Sequence, residues 1–200
     1  MNFPPAGIID NLAFIIGIVA VAFFLLSYLQ KRRKAIIAFN TTSRVLYIVQ
    51  YIFLGAFVGA VLDVAGTLAS VLAQCKDKPW VKRHLRAVII GADALIVILG
   101  LFTIWMQAKE GGYSPFSLQG ALGLLPIFGV LLHTGAFWLE DEKKIRIVSL
   151  LGSPFWFAYN LLSAAYGSCV GDLLSMVFIL VAMFRYDFKG TRKKDPPEEK

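Results

Sequence analysis

The stretch WFAYNLLSAAYGSCVGDLLS, Trp156 to Ser175, decides how the chain is read. It is apolar enough for a membrane, yet it carries Tyr159, Asn160 and a carboxylate, Asp172. Gly167 and Gly171 interrupt it. Glycine is a weak helix former and permits tight turns, so two helices are expected, at about 146–163 and 169–186. Working outward, Val45 to Gln74 has the same design. It is too long for one ordinary helix and holds Gly55 and Gly59 in its middle, which predicts helices at about 38–56 and 59–75. Three further apolar runs are simpler, at about 8–30, 87–107 and 117–139. Each matches the roughly 20 residues needed to cross a hydrocarbon core of ~30 Å.

The composition agrees. Of 200 residues, 58% are hydrophobic and 16% are charged, where a soluble domain is about half apolar and about a quarter charged. The expected class is therefore an all-α integral membrane protein with seven transmembrane helices. The first run has no basic segment before it. Its basic cluster, Lys31-Arg32-Arg33-Lys34, follows it, so it reads as a retained span and not a cleaved leader. The formal charge of +7 reads as basic flanks of membrane helices and not as a nucleic-acid surface. With seven spans, every Lys and Arg except Lys109 falls on one side, in the loops 31–44, 76–86 and 140–146 and the tail. The positive-inside rule then places the N-terminus outside and the C-terminus in the cytoplasm. The tail 188–200, charged and carrying Pro196 and Pro197, is expected to be disordered.

Sliding the chain against itself by 109 residues pairs Asp63 with Asp172 without a gap. Tyr47 then faces Trp156, and Gln50-Tyr51 faces Tyr159-Asn160. This suggests two three-helix repeats. An odd number of helices inverts direction, so one extra span between the units restores a parallel relation. The result is a 3-1-3 plan: repeat 1 over 1–75, a linker helix with its loops over 76–116, and repeat 2 over 117–187. Parallel repeats about the membrane normal occur in transporters.

The segments FLGAFVGAVLDVAGTL, LLPIFGVLLHTGAFW and WFAYNLLSAAYGSCVGDLLS, all within about 8–187, resemble the YgjV-type bacterial inner-membrane proteins. That resemblance implies an inner-membrane location and no particular activity. The 3-1-3 plan is more distantly similar to SWEET and PQ-loop carriers. There, polar and aromatic residues on the second and third helices of each repeat face a central pocket. The matching positions here are Gln50, Tyr51, Asp63, Trp156, Asn160 and Asp172. The Pro-Gln pair that hinges the first helix of those carriers is absent: Leu29 precedes Gln30.

Asp63 and Asp172 are the sharpest candidates. A carboxylate at the centre of a membrane helix costs roughly 3 kcal/mol or more and often marks an ion or solute path. The competing reading makes each a helix cap near an N-terminus. Asp93 is expected to pair within the bundle, and His133 to be a packed bundle histidine without a metal. Small residues such as Gly17, Gly66 and Gly129 are expected to let helices approach closely. Cys75 and Cys169 show no metal or redox spacing and are expected at opposite ends of the bundle, unbridged. No nucleophile–base pair, phosphate loop or metal-ligand set appears, so no catalytic, cofactor or metal residues are assigned and enzyme is the weakest class. A small-solute carrier with its site between the repeats leads. A non-transporting scaffold or regulatory subunit is the alternative. The lipid bilayer and a small solute are the expected partners, and a homo-oligomer is compatible with the sequence.

Overall fold

A computed structural model describes residues 8–53, 57–162 and 166–188, with the backbone alone for 8–10, 57–59, 160, 166–168 and 188. The tail from 189 and the breaks at 54–56 and 163–165, where turns and a disordered end are expected, lie outside the described residues. Among the described residues the chain is all-helical. The helices are α1 (Ile8–Tyr28), α2 (Arg33–Phe53), α3 (Phe57–Gln74), α4 (Pro79–Arg83), α5 (Leu85–Gly111), α6 (Leu118–Leu122), α7 (Leu124–Ala136), α8 (Glu142–Leu162) and α9 (Tyr166–Ala182). α9 runs on into a π-helical turn, Met183–Phe188.

Local chemistry accounts for several ends. Pro79 opens α4, where its missing N–H is not needed. Gly112, in the left-handed region at φ 66°, closes α5. Ser117 caps α6 by accepting a hydrogen bond from the Gly120 N–H. Asp141 caps α8 by accepting from the N–H of Lys143 at 2.8 Å.

Two expectations need correction. The run at 117–139 is not one helix but α6 and α7, which meet at Gly123. α2 begins at Arg33, about a turn earlier than expected, and Arg44, which lies within the expected helix at 38–56 but is counted with the basic loop 31–44, stands in the middle of it. Charged residues in the first turn, at the water boundary, do not stop a membrane helix from starting.

Four stretches are long and apolar enough to cross a membrane: Asn11–Tyr28, Leu85–Gly111, Leu118–Ala136 and Cys169–Asp187. Ala60–Gln74 is apolar but shorter. α2 and α8 are as long as α1 but more polar. Their polar residues turn inward. On α2 the buried set is Arg33, Ile36, Ile37, Asn40, Ser43 and Arg44, a single face at helical spacing. On α8 it is Ile145, Arg146, Ser149, Gly152 and Ser153. Large apolar residues point out instead: Ile15 and Ile18 on α1, Ile98 and Phe102 on α5, Val177 and Val181 on α9. Apolar outside and polar inside reverses the arrangement of a soluble protein and matches a lipid solvent.

The packing order is α1 on α2, α2 on α3, α3 on α7, α7 on α8, α8 on α9, and α9 back on α1. α5 covers α3 and α7 from outside, burying Ala65, Ala69, Ala92, Ile96, Ile104, Ile127 and Val130. The bounds also keep a register. α2 and α8 each have 21 residues, and their first residues, Arg33 and Glu142, stand 109 positions apart. The same shift carries Phe57, the start of α3, onto Tyr166, the start of α9.

Candidate functional site

The centre of the helix ring is polar. Asp63 is the seventh residue of α3, beyond the first turn, so it does not cap that helix. Its Oδ1 accepts from Nη1 of Arg44 on α2 at 3.0 Å, and the side chains are 14% and 8% exposed. Arg44 Nε also donates to Asn40 Oδ1 at 3.2 Å. Arg44 and Asn40 are one turn apart on α2, so they share its inner face. Gly66, one turn along α3 from Asp63, makes room for the guanidinium. A Cβ there would lie 2.3 Å from Arg44 Nη1. Its role is to admit a side chain rather than a neighbouring helix.

Opposite stand His133 on α7 and Ser149 on α8. His133 Nε2 donates to the Ser149 carbonyl at 2.9 Å. Gly152 leaves space for the ring, since a Cβ there would meet His133 Cδ2 at 2.6 Å. His133 is 3% exposed and lies within reach of the Arg44 charge. Among the described residues no His, Cys, Asp or Glu group could hold a metal ion. The Tyr28 and Ser149 hydroxyls face one another, but neither closes a hydrogen bond of good geometry. Asn40 Nδ2 is likewise buried without a partner.

The six residues expected to form a site are only partly brought together. Tyr51 stacks on Tyr47 with ring centres 6.1 Å apart. Both tyrosines feel the charges of Asp63 and Asp172, which places Tyr51, Asp63 and Asp172 around one region. Gln50 turns instead to α1, where its amide occupies the space left by Gly17. The Trp156 indole lies against Gly129 of α7. Asn160 lies in α8, with its side chain outside the described ones. Asp172 is half-buried. Like Asp63 it is the seventh residue of its helix, so it too lies past the capping position. Asp93 is half-buried on α5 and takes no part in the three ion pairs among the described residues. Cys75 and Cys169 are free thiols. An apolar groove along α9, lined by Val177, Leu180, Val181, Phe184 and Arg185, contains none of these candidates.

Arg44, Asn40, Tyr28 and Ser149 are therefore the part of the site that the sequence did not single out. Its signal was present in NTTSR, residues 40–44, which puts Asn40, Ser43 and Arg44 on one face once α2 is started at Arg33.

One end of the bundle is tied by arginines. Arg33 on α2 donates to Leu139 O at 2.7 Å, to Ala73 O at 2.8 Å and to Phe137 O. Arg146 on α8 donates to Tyr28 O at 3.3 Å and Gln30 O at 2.7 Å, and pairs with Asp187 at 2.6 Å. Lys76 donates to Trp138 O and Glu140. The loops before α2 and α8 and the ends of α3 and α9 thus meet at one end.

No curated protein and no solved structure matches the chain. The apolar exterior, the helices long enough to span and the buried polar centre describe a multi-helical membrane protein. Residues 11–189 match the family model Imp-YgjV, bacterial inner membrane protein, and the chain belongs to that family.

Proposed function

We propose that this protein is a small-solute carrier of the inner membrane, without catalytic activity. Its seven membrane helices form two parallel three-helix repeats, α1–α3 and α6–α9, with α5 as the linker span. α6 and α7 together serve as the first span of the second repeat. The basic end faces the cytoplasm and the N-terminus lies outside. The solute site lies between the repeats, around Asp63, Tyr51 and Asp172, with Gln50, Trp156 and Asn160 toward its edges.

The observation that supports this reading best is the inward-facing polar set of α2 and α8 inside a closed ring of helices. A buried polar residue in a membrane bundle is costly and commonly serves a solute or ion path. The common register of the two halves at 109 residues adds to it, since transporter sites commonly sit at repeat interfaces. The Arg44–Asp63 pair favours the second reading, a non-transporting scaffold, because mutual neutralisation is also what a packing role requires.

Uptake by the purified protein in proteoliposomes, screened over organic acids, sugars, amino acids and amines, tests the proposal. Saturable uptake of at least one class, lost in Asp63→Asn and Asp172→Asn, is the expected result. Uniform failure with correctly inserted protein would favour the scaffold.

A further inference from the structure

We propose that Arg44, with Asn40, Tyr28 and Ser149 around it, binds the carboxylate of a small organic acid, which takes the place of Asp63 on the guanidinium. The inference rests on the carrier reading and names its solute class.

The argument is a count of donors and acceptors. Arg44 carries five N–H groups and cannot lose its charge. Two of its bonds are accounted for, one to Asp63 and one to Asn40. Beside it the Asn40 amide nitrogen is buried without a partner, and within reach of its charge the Tyr28 hydroxyl faces that of Ser149 without closing a hydrogen bond of good geometry. All three residues are fully buried. The Asn40 nitrogen can only donate, the two hydroxyls can accept as well as donate, and His133 already spends its Nε2–H on a carbonyl. Among the described residues the N–H groups of Arg44 and Asn40, which cannot accept, therefore outnumber the acceptors bonded to them. Buried polar atoms are ordinarily paired, and those left over call for an explanation.

A carboxylate answers that need. It only accepts, offers about four lone-pair sites and matches the planar fork of an arginine. A sugar hydroxyl can also accept, but it brings no charge to replace that of Asp63 beside Arg44. An amine or other cation would be repelled by Arg44. Lysine at this position would supply a charge but no fork. Gly66 adds a second line, because the space it leaves holds the guanidinium tip, the part that must turn from one carboxylate to the other.

Asp63 and the solute compete for one cation, so binding of the acid is linked to uptake of a proton by Asp63. The groups that face the pair are Tyr47 and Tyr51 on α2, Tyr28 on α1, His133 on α7 and, across the tyrosines, Asp172 on α9. Asp93 on α5 couples to none of them. The sign follows: affinity for the ionised acid rises as pH falls, and the dependence disappears when residue 63 cannot ionise. Access to the buried centre requires the ring to part, as alternating access provides.

The test is thermal unfolding of the full-length protein in detergent, titrated with acetate, lactate and benzoate, with glucose, ethylamine and chloride as controls. The acids should stabilise saturably, and more strongly at about pH 6 than at about pH 8. Asp63→Asn should bind them about tenfold more tightly at the higher pH, through removal of the competing charge, and lose the pH dependence. The double variant Arg44→Gln/Asp63→Asn removes both charges without stranding either, so it should fold and no longer respond. Asp93→Asn, on α5 outside the site, should keep the pH dependence. Equal response of the double variant, equal response to chloride, or no response to any acid overturns the inference. If glucose or ethylamine stabilises where the acids do not, this inference fails while the carrier reading survives. If the acids bind as described but proteoliposomes never accumulate them, the site stands and the carrier reading fails.

Discussion

The backbone N–H of Arg33 donates to Glu142 Oε1 at 3.0 Å, and the two residues stand 109 positions apart in the chain. They are the first residues of α2 and α8. This contact joins the starts of the two helices at the basic end. The surrounding bonds follow the same pattern. Arg33 holds the carbonyls of Phe137 and Leu139, and Arg146 holds those of Tyr28 and Gln30, which stand the same 109 positions earlier in the chain. The arginines themselves sit one turn apart in that register, on one helix face.

Arg146 is the more vulnerable of the two. It is 1% exposed and paired with Asp187, itself 7% exposed. Arg146→Ala removes one member of a buried pair and should destabilise by about 3–5 kcal/mol. Arg146→Met combined with Asp187→Leu removes both charges and should recover a large part of that loss. Unfolding temperatures in detergent measure both, and a double variant no better than Arg146→Ala would contradict the role of the pair.

Gly66 and Gly171 make a matched comparison. Both are helical glycines, but a Cβ at Gly171 meets nothing within 4 Å, whereas one at Gly66 meets Arg44 Nη1 at 2.3 Å. Gly171→Ala should be neutral or stabilising by up to about 1 kcal/mol, because alanine is the better helix former. Gly66→Ala should lose that gain and displace the Arg44–Asp63 pair, with a net cost of about 1–3 kcal/mol. Equal effects would mean that Arg44 moves aside freely.

The helices were largely legible because lipid makes an apolar exterior a direct signal of length and position. The shift that pairs Asp63 with Asp172 also carries the start of α2 onto that of α8 and the start of α3 onto that of α9. What stayed hidden was the polar interior. Composition does not tell an arginine that points into a bundle from one on a basic flank, so Arg44, inside the expected helix at 38–56, still counts with the loop 31–44. The capping reading of the two aspartates failed for a related reason. Their helices begin at Phe57 and Tyr166, so each carboxylate lies past the first turn. Gly66, expected as a contact point between helices, instead makes room for Arg44, as Gly152 does for His133. Only the three-dimensional partner distinguishes those roles.

The proposed orientation has a direct test. Cysteine introduced at Gly112, which closes α5, should be labelled by an impermeant reagent in intact cells. Cysteine at Lys78, just before α4, should be labelled only after lysis. The reverse pattern would invert the orientation and place the arginine ties outside.

Asp63 and Asp172 are each the seventh residue of their helices, but the position of α8 that matches Arg44 carries no charge. The residue of α8 that corresponds to Arg44 is Ser153, which donates to the Ser149 carbonyl. Asp63 therefore has a guanidinium beside it, while Asp172 is reached through Tyr47 and Tyr51. Asp63→Asn keeps an acceptor for Arg44 but leaves the buried cation without a countercharge, and should destabilise by about 1–3 kcal/mol. Asp172→Asn, at a half-buried position, should cost about 1 kcal/mol or less. Uptake separates the two kinds of effect. In a carrier, both variants lose transport despite their unequal stability, because proton exchange at Asp63 and charge at Asp172 are each part of the cycle. In a scaffold, neither change affects anything beyond its own stability. Parallel measurement of unfolding temperature and proteoliposome uptake on the same preparations distinguishes the cases, and retained uptake in a folded Asp63→Asn variant would remove Asp63 from the transport cycle.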